Sequence, residues 1–221
     1  MLHGVIFDID GTLLDSNDAH AKSWVDTFAE AGYEVPFDVV RPLIGMGADK
    51  LLPKTVGIRD DSEEGKRLTK RRSEIFRKKY LPGLLPFPGS RELVERVRAD
   101  GLKAIVATSA KDKELKELLK AARVDDLMEE KATSSDAQHS KPDPDIIHAA
   151  ITESKTPPQE LVMIGDTPYD VEAASRAHVR IIGFRSGGWN DRHLEGAVEV
   201  YDGPADLLAH YESSLIGRRS R

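Results

Sequence analysis

Two aspartates close an apolar run near the N-terminus, in the stretch V-I-F-D-I-D-G-T at residues 5–12. In an extended segment residues i and i+2 project to the same side, so Asp8 and Asp10 are expected to converge where the strand ends. Neighbouring buried carboxylates repel one another and lose hydration, which predicts a compensating cation nearby. A capped turn is the alternative, because Asp, Gly and Thr are common turn residues. The spacing excludes a calcium-binding loop, and the buried strand favours a catalytic pair over a simple turn.

A second acidic group follows another apolar run, in G-D-T-P-Y-D at residues 165–170. Helix capping by Asp166 or Thr167 is one interpretation, and Asp170 would then favour the positive end of the helix. Capping explains Asp166 less well, because the pattern of a strand running into an acid already occurs at Asp8. If the two strands are parallel neighbours, the two acidic groups surround one point. Such an oxygen-only cluster suits a hard cation, and Mg²⁺ is the one we expect.

Two more predicted strand ends carry polar residues. The run 103–107 leads to the hydroxyl residues Thr108 and Ser109, which precede a predicted helix. Because helix N-termini bind phosphate, these residues are candidates for a phosphate site. A simple helix N-cap is the alternative. Further on, S-K-P-D-P-D places Lys141 before Pro142, which biases the lysine toward an extended conformation. A lysine held in this way could point into the acidic cluster and neutralise a phosphate or carboxylate, whereas most lysines are merely solvated.

Short runs rich in Val and Ile alternate with helical patterns and must position these residues. The runs show little polar–apolar alternation, as expected for parallel strands covered on both faces. They span residues 4–8, 103–108, 161–165, 179–184 and 198–201. Helices are predicted to begin at Ser90, Pro144, Pro168 and Pro204, with Ser90, Asp143 and Thr167 as N-caps. This order predicts an α/β fold with a doubly wound, Rossmann-like parallel sheet.

One long stretch interrupts the alternation, because it contains no convincing strand. Trp24 and Phe28 belong to a helical apolar face, and the proline- and glycine-rich residues 82–89 form a joint back to the core. The stretch is therefore predicted to be an all-helical insertion above the carboxyl ends of the strands, where ligands bind in open α/β sheets. The predicted division is a core of residues 1–15 and 85–221 and a helical cap domain of residues 16–84.

Composition narrows the class of protein. The 221 residues include no cysteine, which excludes disulfides, thiolate metal sites and a cysteine nucleophile. The net charge of -6 argues against a nucleic-acid partner, and the basic tail at 217–221 is interpreted as a frayed, solvated end. No apolar run approaches membrane-spanning length, and the first apolar stretch is too short for a signal peptide because it meets Asp8 at once. We expect a soluble cytoplasmic protein without nucleic-acid or membrane partners, either a monomer or a homodimer.

The sequence motifs at these predicted strand ends resemble those of a known protein family. The stretches F-D-I-D-G-T-L, A-T-S, S-K-P-D-P and I-G-D-T-P-Y-D are similar, in order and spacing, to the four motifs of the haloacid dehalogenase superfamily. The resemblance is to its small-cap phosphatase and phosphomutase branch, which includes phosphoglycolate phosphatase and β-phosphoglucomutase. It covers nearly the whole chain, including the helical insertion between the first two motifs.

The resemblance implies a role for each motif residue. Asp8 would be the nucleophile that takes the phosphoryl group, and Asp10 the general acid for the leaving oxygen and then the base for water. Thr108 would bind phosphoryl oxygens, and Lys141 would balance the charge of Asp8 and phosphate. Phosphoryl transfer depends mostly on positioning and charge neutralisation, and a covalent aspartyl-phosphate divides it into two easier steps.

The resemblance also implies the metal ligands. Asp8, the backbone carbonyl of Asp10, and Asp166 would hold Mg²⁺, with Asp170 in support directly or through water. Further residues are predicted to contribute to substrate binding, namely Gly11, Thr12, Ser109 and His20.

Two histidines required separate interpretation. His178 replaces the glycine that the family usually has after the helix following the fourth motif, and we predict a left-handed helix C-cap there. His20 lies one turn before Trp24 and close to the acid pair in sequence. A surface or hinge position is slightly favoured for His20, and a gating role, as in related phosphomutases, is left open.

The combined prediction is a Mg²⁺-dependent phosphatase that hydrolyses a small phosphorylated metabolite. A phosphosugar mutase is the alternative, and a non-catalytic regulator that binds a phosphorylated ligand is a third. The regulator is disfavoured because binding alone does not need Asp10. The mutase is disfavoured because residues 45–48 contain no arginine for a distal phosphate, although Arg71 and Arg72 could substitute. Nothing in the predicted cap sequence specifies the substrate.

Overall fold

The computed structural model describes residues 1–110, 112–128, 130–133 and 135–219. Its centre is a six-stranded parallel sheet with the strand order β3-β2-β1-β4-β5-β6. The strands are β1 Gly4–Phe7, β2 Lys103–Ala107, β3 Glu130–Ala132, β4 Leu161–Gly165, β5 Arg180–Phe184 and β6 Glu199–Tyr201. The α-helices are α1 Asn17–Glu30, α2 Phe37–Val40, α3 Ala48–Thr55, α4 Glu63–Ile75, α5 Ser90–Ala99, α6 Asp112–Ala121, α7 Asp145–Ser154, α8 Pro168–Arg176 and α9 Pro204–Ala209.

Helices cover both faces of this sheet, and a hydrophobic core lies on each. On β1, Val5 and Phe7 pack into one core with helices α5 and α6, while Ile6 packs into the other with helices α7 and α8. Alternate residues therefore enter different cores, which is why the strands are apolar throughout. The predicted α/β doubly wound fold is confirmed.

Five of the six strands were predicted, each within one residue of its observed bounds. Strand β3 was missed, because its three residues Glu130, Lys131 and Ala132 show no apolar run. It is held at the edge of the sheet by parallel pairing with β2. A short, charged edge strand depends on its neighbour for pairing, and local propensity does not indicate it.

Helices α1 to α4 form the segment between β1 and α5. They contain a hydrophobic cluster of their own, which includes Trp24, Phe28, Leu51, Leu52 and Leu68. The segment contains no strand, as predicted, and every residue in it is described. Its assignment as a separate domain of residues 16–84 stays a prediction.

Two helix starts agree with the sequence analysis. Thr167 caps α8 with a reciprocal capping box, in which its side chain accepts from the Asp170 N–H and the Asp170 side chain accepts from the Thr167 N–H. Helix α9 begins at Pro204, as predicted. The left-handed conformation predicted for His178, after the end of α8, is confirmed by its φ of 59°.

Two predicted N-caps are wrong. Ser90 is the first residue of α5, and its Oγ donates to the carbonyl of Leu13 at 2.8 Å instead of capping the helix. Asp143 does not cap α7, which begins at Asp145, and its carboxylate pairs with Lys50 at 2.7 Å. In both cases a partner distant in sequence engages the side chain that local chemistry assigned to the helix start.

Within the described ranges, no helix combines the length and the apolar character needed to cross a bilayer.

Candidate active site

Three carboxylates meet at the carboxyl ends of two neighbouring strands. Asp8 follows β1, Asp166 follows β4, and Asp170 lies in the first turn of α8. Since β1 and β4 pair in parallel, their ends lie side by side, and one oxygen from each acid lies within 4.8 Å of the others. All three side chains are buried. The structure thus brings together the two acidic groups that the sequence analysis expected around one point.

One buried lysine faces this acidic cluster. Lys141 Nζ donates to Asp8 Oδ1 at 2.5 Å and lies 2.7 Å from Asp170 Oδ1, although the latter contact lacks hydrogen-bond geometry. Burial disfavours the ammonium, but the charges of Asp170 and Asp8 outweigh it and raise the pKa of Lys141 above its ordinary value. The lysine is therefore a permanent positive charge, and it balances only one of three carboxylates.

Burial and the neighbouring charges raise the pKa values of two of these acids. Burial raises the pKa of Asp8 to about 7, with the charges of Asp170 and Asp10 adding to the effect and Lys141 opposing it. Burial and the neighbouring charges of Asp170 and Asp8 likewise raise the pKa of Asp166 well above its usual range. Three buried carboxylates, without an imidazole or a thiolate among them, fit a hard divalent cation such as Mg²⁺.

Asp10 lies in the turn after β1, and its carboxylate is not part of this cluster among the described residues. Its Oδ1 accepts hydrogen bonds from Ser16 Oγ at 2.5 Å and from His20 Nε2 at 2.7 Å. Burial alone would raise the pKa of Asp10, but His20, Ser16 and the charge of Arg72 outweigh it and hold that pKa below its ordinary value. The side chain of Asp10 is thus set apart from the other acids as an ionised acceptor.

His20 is buried, so its interpretation as a surface side chain is wrong. Its ring stacks on Phe76 with a centroid separation of 4.1 Å, and Arg72 contacts its Nδ1. A basic side chain of α4 therefore contacts the histidine that hydrogen-bonds Asp10.

The remaining predicted residues surround the same strand ends. Thr108 is buried after β2, and its Oγ1 accepts from the Ala110 N–H at 3.2 Å in a turn before α6, which begins at Asp112. Ser109 Oγ lies 3.5 Å from the carbonyl of Gly45 in the helical segment. Thr12 Oγ1 donates to Asp166 Oδ1 at 2.9 Å, and Gly11 has a positive φ of 80°. The fold thus gathers all ten predicted site residues around the carboxyl ends of the strands, although their individual roles stay predictions.

A cavity of about 870 Å³ lies over these strand ends. The core contributes Asp8, Asp10 and Thr108 to its wall, and the helical segment contributes Met46 and Arg72. This volume is in the range of pockets that bind small molecules.

Some site residues were missed or left uncertain by the sequence analysis. Asn17 donates from Nδ2 to Asp166 Oδ2 at 2.8 Å, and nothing in a single sequence distinguishes it from other polar helix starts. Arg71 pairs with Glu30 on the exposed side of the helical segment, away from the cavity lining. Arg72 does line the cavity, where its Nη1 donates to Glu114 Oε1 of α6 at 2.9 Å.

Comparison with known proteins identifies the family. Residues 5–184 match the family model described as haloacid dehalogenase-like hydrolase. The chain therefore belongs to this family.

Relatives of this chain include named phosphatases and proteins of other description. It is 26% identical to phosphoglycolate phosphatase of Nitrosospira multiformis, over 99% of this chain and 97% of that protein. It is 36% identical over 189 residues to the protein SUPPRESSOR OF QUENCHING 1, chloroplastic, of Arabidopsis thaliana. That match covers 82% of this chain and 18% of the longer relative, so the chain spans only a fraction of that protein.

The fold is also shared with solved structures. A hydrolase from Pseudomonas syringae matches with a TM-score of 0.86 and 30% identity, over 96% of this chain and 98% of that one. Family and relatives together identify an enzyme of the phosphate-ester hydrolase class.

Proposed function

We propose that this chain is a Mg²⁺-dependent phosphatase that hydrolyses a small phosphomonoester through a phosphorylated Asp8. The observation that carries the proposal is the position of Asp8, which is buried beside Asp166 and Asp170 and bonded to Lys141 at the base of the cavity. An aspartate in this position is both poised toward a bound phosphoryl group and adjacent to the charges that would neutralise it.

The first step would transfer the phosphoryl group to the enzyme. An Asp8 carboxylate oxygen forms a bond to phosphorus as the bond from phosphorus to the ester oxygen breaks, and the leaving oxygen takes a proton from Asp10. The hydrogen bonds to Asp10 favour its ionised form in the free enzyme. A phosphate dianion nearby raises the pKa of a carboxyl group, so substrate binding would favour the protonated form that the step requires.

The second step would release phosphate. Asp10, now ionised, accepts a proton from water as the water oxygen bonds to phosphorus and the bond to Asp8 breaks. Restored hydrogen bonds from His20 and Ser16 would stabilise Asp10 as this base. Lys141 and Thr108 are proposed to balance and bind the phosphoryl oxygens.

Mg²⁺ would be held by Asp8, Asp166 and the backbone carbonyl of Asp10, with Asp170 in support. When bound, the cation would neutralise charge on the phosphoryl oxygens and on the surrounding carboxylates. The fit rests on the oxygen-only donor set of three buried carboxylates, which burial and mutual repulsion make costly to ionise without a cation.

The helical segment, residues 16–84, is proposed to act as a cap that excludes bulk water. Its loop Gly45–Ala48 contributes to the cavity wall, where a mutase would need a cation for a distal phosphate. The next residue is Asp49, whose Oδ1 accepts from Ser140 Oγ at 2.5 Å. A carboxylate beside this loop weighs against binding of a second phosphate there, although Arg72 also lines the cavity, and we propose water as the acceptor. The relatives named phosphatases agree with this choice.

The test is release of inorganic phosphate from a panel of small phosphomonoesters in the presence of Mg²⁺. We expect turnover by the wild-type chain and its loss in Asp8→Asn, with Asp15→Asn as the matched control because Asp15 is exposed in the same segment. The proposal would be rejected if Asp8→Asn released phosphate at the wild-type rate. It would also be rejected if the wild-type chain released phosphate from no substrate of the panel.

A further inference from the structure

The amide of Asn17 is a buried group that the proposed chemistry does not use. Asn17 is the first residue of α1 and is 3% exposed. Its Nδ2 donates to Asp166 Oδ2 at 2.8 Å, while Thr12 Oγ1 donates to Asp166 Oδ1 at 2.9 Å. Both oxygens of Asp166 are therefore oriented by neutral donors. The amide orientation follows from the chemistry, because the opposite orientation would place an acceptor against a carboxylate.

The other end of the same amide has no partner. Asn17 Oδ1 is buried and makes no hydrogen bond to any described residue. A buried acceptor without a donor costs about 1–3 kcal/mol, so native structures rarely keep one unless an ion or a water molecule satisfies it. The orphaned oxygen belongs to the same amide whose Nδ2 contacts Asp166, a proposed cation ligand.

Two glycines make room for this contact. A Cβ on Gly11 would lie 2.1 Å from Asn17 Nδ2 and 2.2 Å from Asp166 Oδ2, and a Cβ on Gly187 would lie 1.9 Å from Asp166 Oδ2. Any side chain at either position would displace the amide or the carboxylate. Residues from two distant parts of the chain, 11–17 and 187, thus enclose one oxygen of Asp166, which is more than a helix start alone requires.

We infer that Asn17 is a positioning residue for the metal site. Its Nδ2 orients Asp166 toward the cation, and its Oδ1 accepts a hydrogen bond from a water molecule of the hydrated cation. Mg²⁺ keeps several of its waters when it binds to proteins, and residues behind the direct ligands commonly orient them. The inference rests on the proposed function, because it requires that the acidic cluster binds Mg²⁺.

The competing explanation is that Asn17 only fastens α1 to the core. The two roles are separated by comparing Asn17→Ala with Thr27→Val. Thr27 is buried on the same helix, and its Oγ1 donates only to the Ser23 carbonyl, at 2.7 Å. Loss of either side chain perturbs α1, but only loss of Asn17 removes contacts at the cation site.

The measurement is Mg²⁺ affinity by titration calorimetry, with thermal unfolding in EDTA as the readout of stability. We expect Asn17→Ala to bind Mg²⁺ about 10-fold more weakly than the wild type, the low end for residues behind metal ligands. The Mg²⁺ concentration for half-maximal activity should rise in parallel. Thr27→Val should lower the unfolding temperature in EDTA and leave the Mg²⁺ affinity unchanged. If Asn17→Ala does not fold, Asn17→Ser replaces it, since serine suits a helix start but is too short to reach Asp166.

Unchanged Mg²⁺ affinity in the Asn17 variant, or the same loss in Thr27→Val, would overturn the inference while leaving the proposed function intact. If the wild-type chain does not bind Mg²⁺ at all, the proposed metal dependence fails and the inference fails with it.

Discussion

At the scale of single residues, charge balance organises the site. Lys141 is the buried cation that faces Asp8 and Asp170, and Asp166 has neutral donors in place of a positive partner. Buried charges are stable only when they are paired, and three clustered carboxylates face one lysine at the point where a cation and a phosphoryl group are proposed to bind. Removal of the lysine charge or of the bound cation therefore tests how the carboxylates are stabilised.

Removal of the lysine should destabilise the metal-free protein. Lys141→Met leaves Asp8 and Asp170 without their counter-ion, and breaking a buried pair in this way typically costs about 3–5 kcal/mol. Mg²⁺ should restore part of the lost stability because it supplies positive charge to the same carboxylates. Urea unfolding with and without Mg²⁺ measures both effects. Lys116→Met, at an exposed position of α6, should change stability by less than about 0.5 kcal/mol, and an equal loss in both variants would contradict the argument.

Removal of the metal should silence the enzyme. EDTA should abolish phosphate release and Mg²⁺ should restore it, while Ca²⁺ should inhibit because its longer, looser coordination misplaces the nucleophile. Asp166→Ala should bind Mg²⁺ more weakly than Asp125→Ala, since Asp125 is an exposed acid outside the cluster. Both variants are compared by calorimetry and by activity. Full activity in chelator would show that the acidic cluster serves another purpose.

At the scale of elements, the helical segment is fastened to the core through α4 and α6. Arg72 of α4 pairs with Glu114, and both side chains are largely buried, at 13% and 10% exposure. The same arginine contacts His20, which contacts Asp10. The interface between the two helices is therefore continuous with the proposed acid–base residue.

Neutralising this contact should loosen the helical segment. Glu114→Gln leaves the guanidinium of Arg72 without its counter-ion and should lower kcat/KM about 10-fold, equivalent to about 1.4 kcal/mol. Glu117→Gln is the matched control, because its pair with Arg77 is one-third exposed and such pairs contribute little. Steady-state kinetics and solution scattering on both variants report activity and compactness. Identical behaviour of the two variants would argue against a special role for the Arg72–Glu114 pair.

At the scale of the whole molecule, two layers of structure enclose one cavity. The carboxyl ends of the central strands supply the acids, and the helical segment, which joins the core near residues 15–16 and 82–89, lines the other side of the cavity. Closure of this kind excludes water while a phosphoenzyme forms, but it must still admit water for hydrolysis. Whether water or a second sugar phosphate accepts the phosphoryl group therefore depends on how the core and the helical segment together shape the cavity.

Phosphorus NMR distinguishes the two acceptors. The chain is incubated with a sugar 1-phosphate and the matching bisphosphate as primer, and the products are followed with time. We expect inorganic phosphate as the main product, because the loop at residues 45–48 that lines the cavity has no arginine for a distal phosphate and is followed by Asp49. Asp8→Asn serves as the inactive control. Rapid appearance of the 6-phosphate isomer with little free phosphate would favour the mutase instead.

A cap that closes should compact the molecule on ligand binding. Solution scattering with and without a phosphate analogue should show a smaller radius of gyration in the bound state. An unchanged radius at saturating ligand would leave the mobile-cap hypothesis without support.

Much of the fold could be predicted from local pattern. Unbroken apolar runs predicted strands that are buried on both faces. The acids at the ends of β1 and β4 indicated that these two strands share one site. Thr167 and His178 behaved as predicted because capping and left-handed conformations depend on a few neighbouring residues. The sequence by itself therefore determined five of the six strands, the family motifs and the set of acids.

Only the tertiary structure decided the partners of the polar side chains. Ser90 and Asp143 bond to distant residues instead of their helix starts, and β3 exists because β2 pairs with it. The contact of Asn17 with Asp166 joins residues 149 positions apart and needs a glycine at position 11 to form. Local sequence specifies burial and turn geometry, whereas a hydrogen bond across the fold depends on where the packed elements place both ends. That placement, set by the packing of the helical segment on the sheet, decided which polar groups surround Asp166 and Asp10.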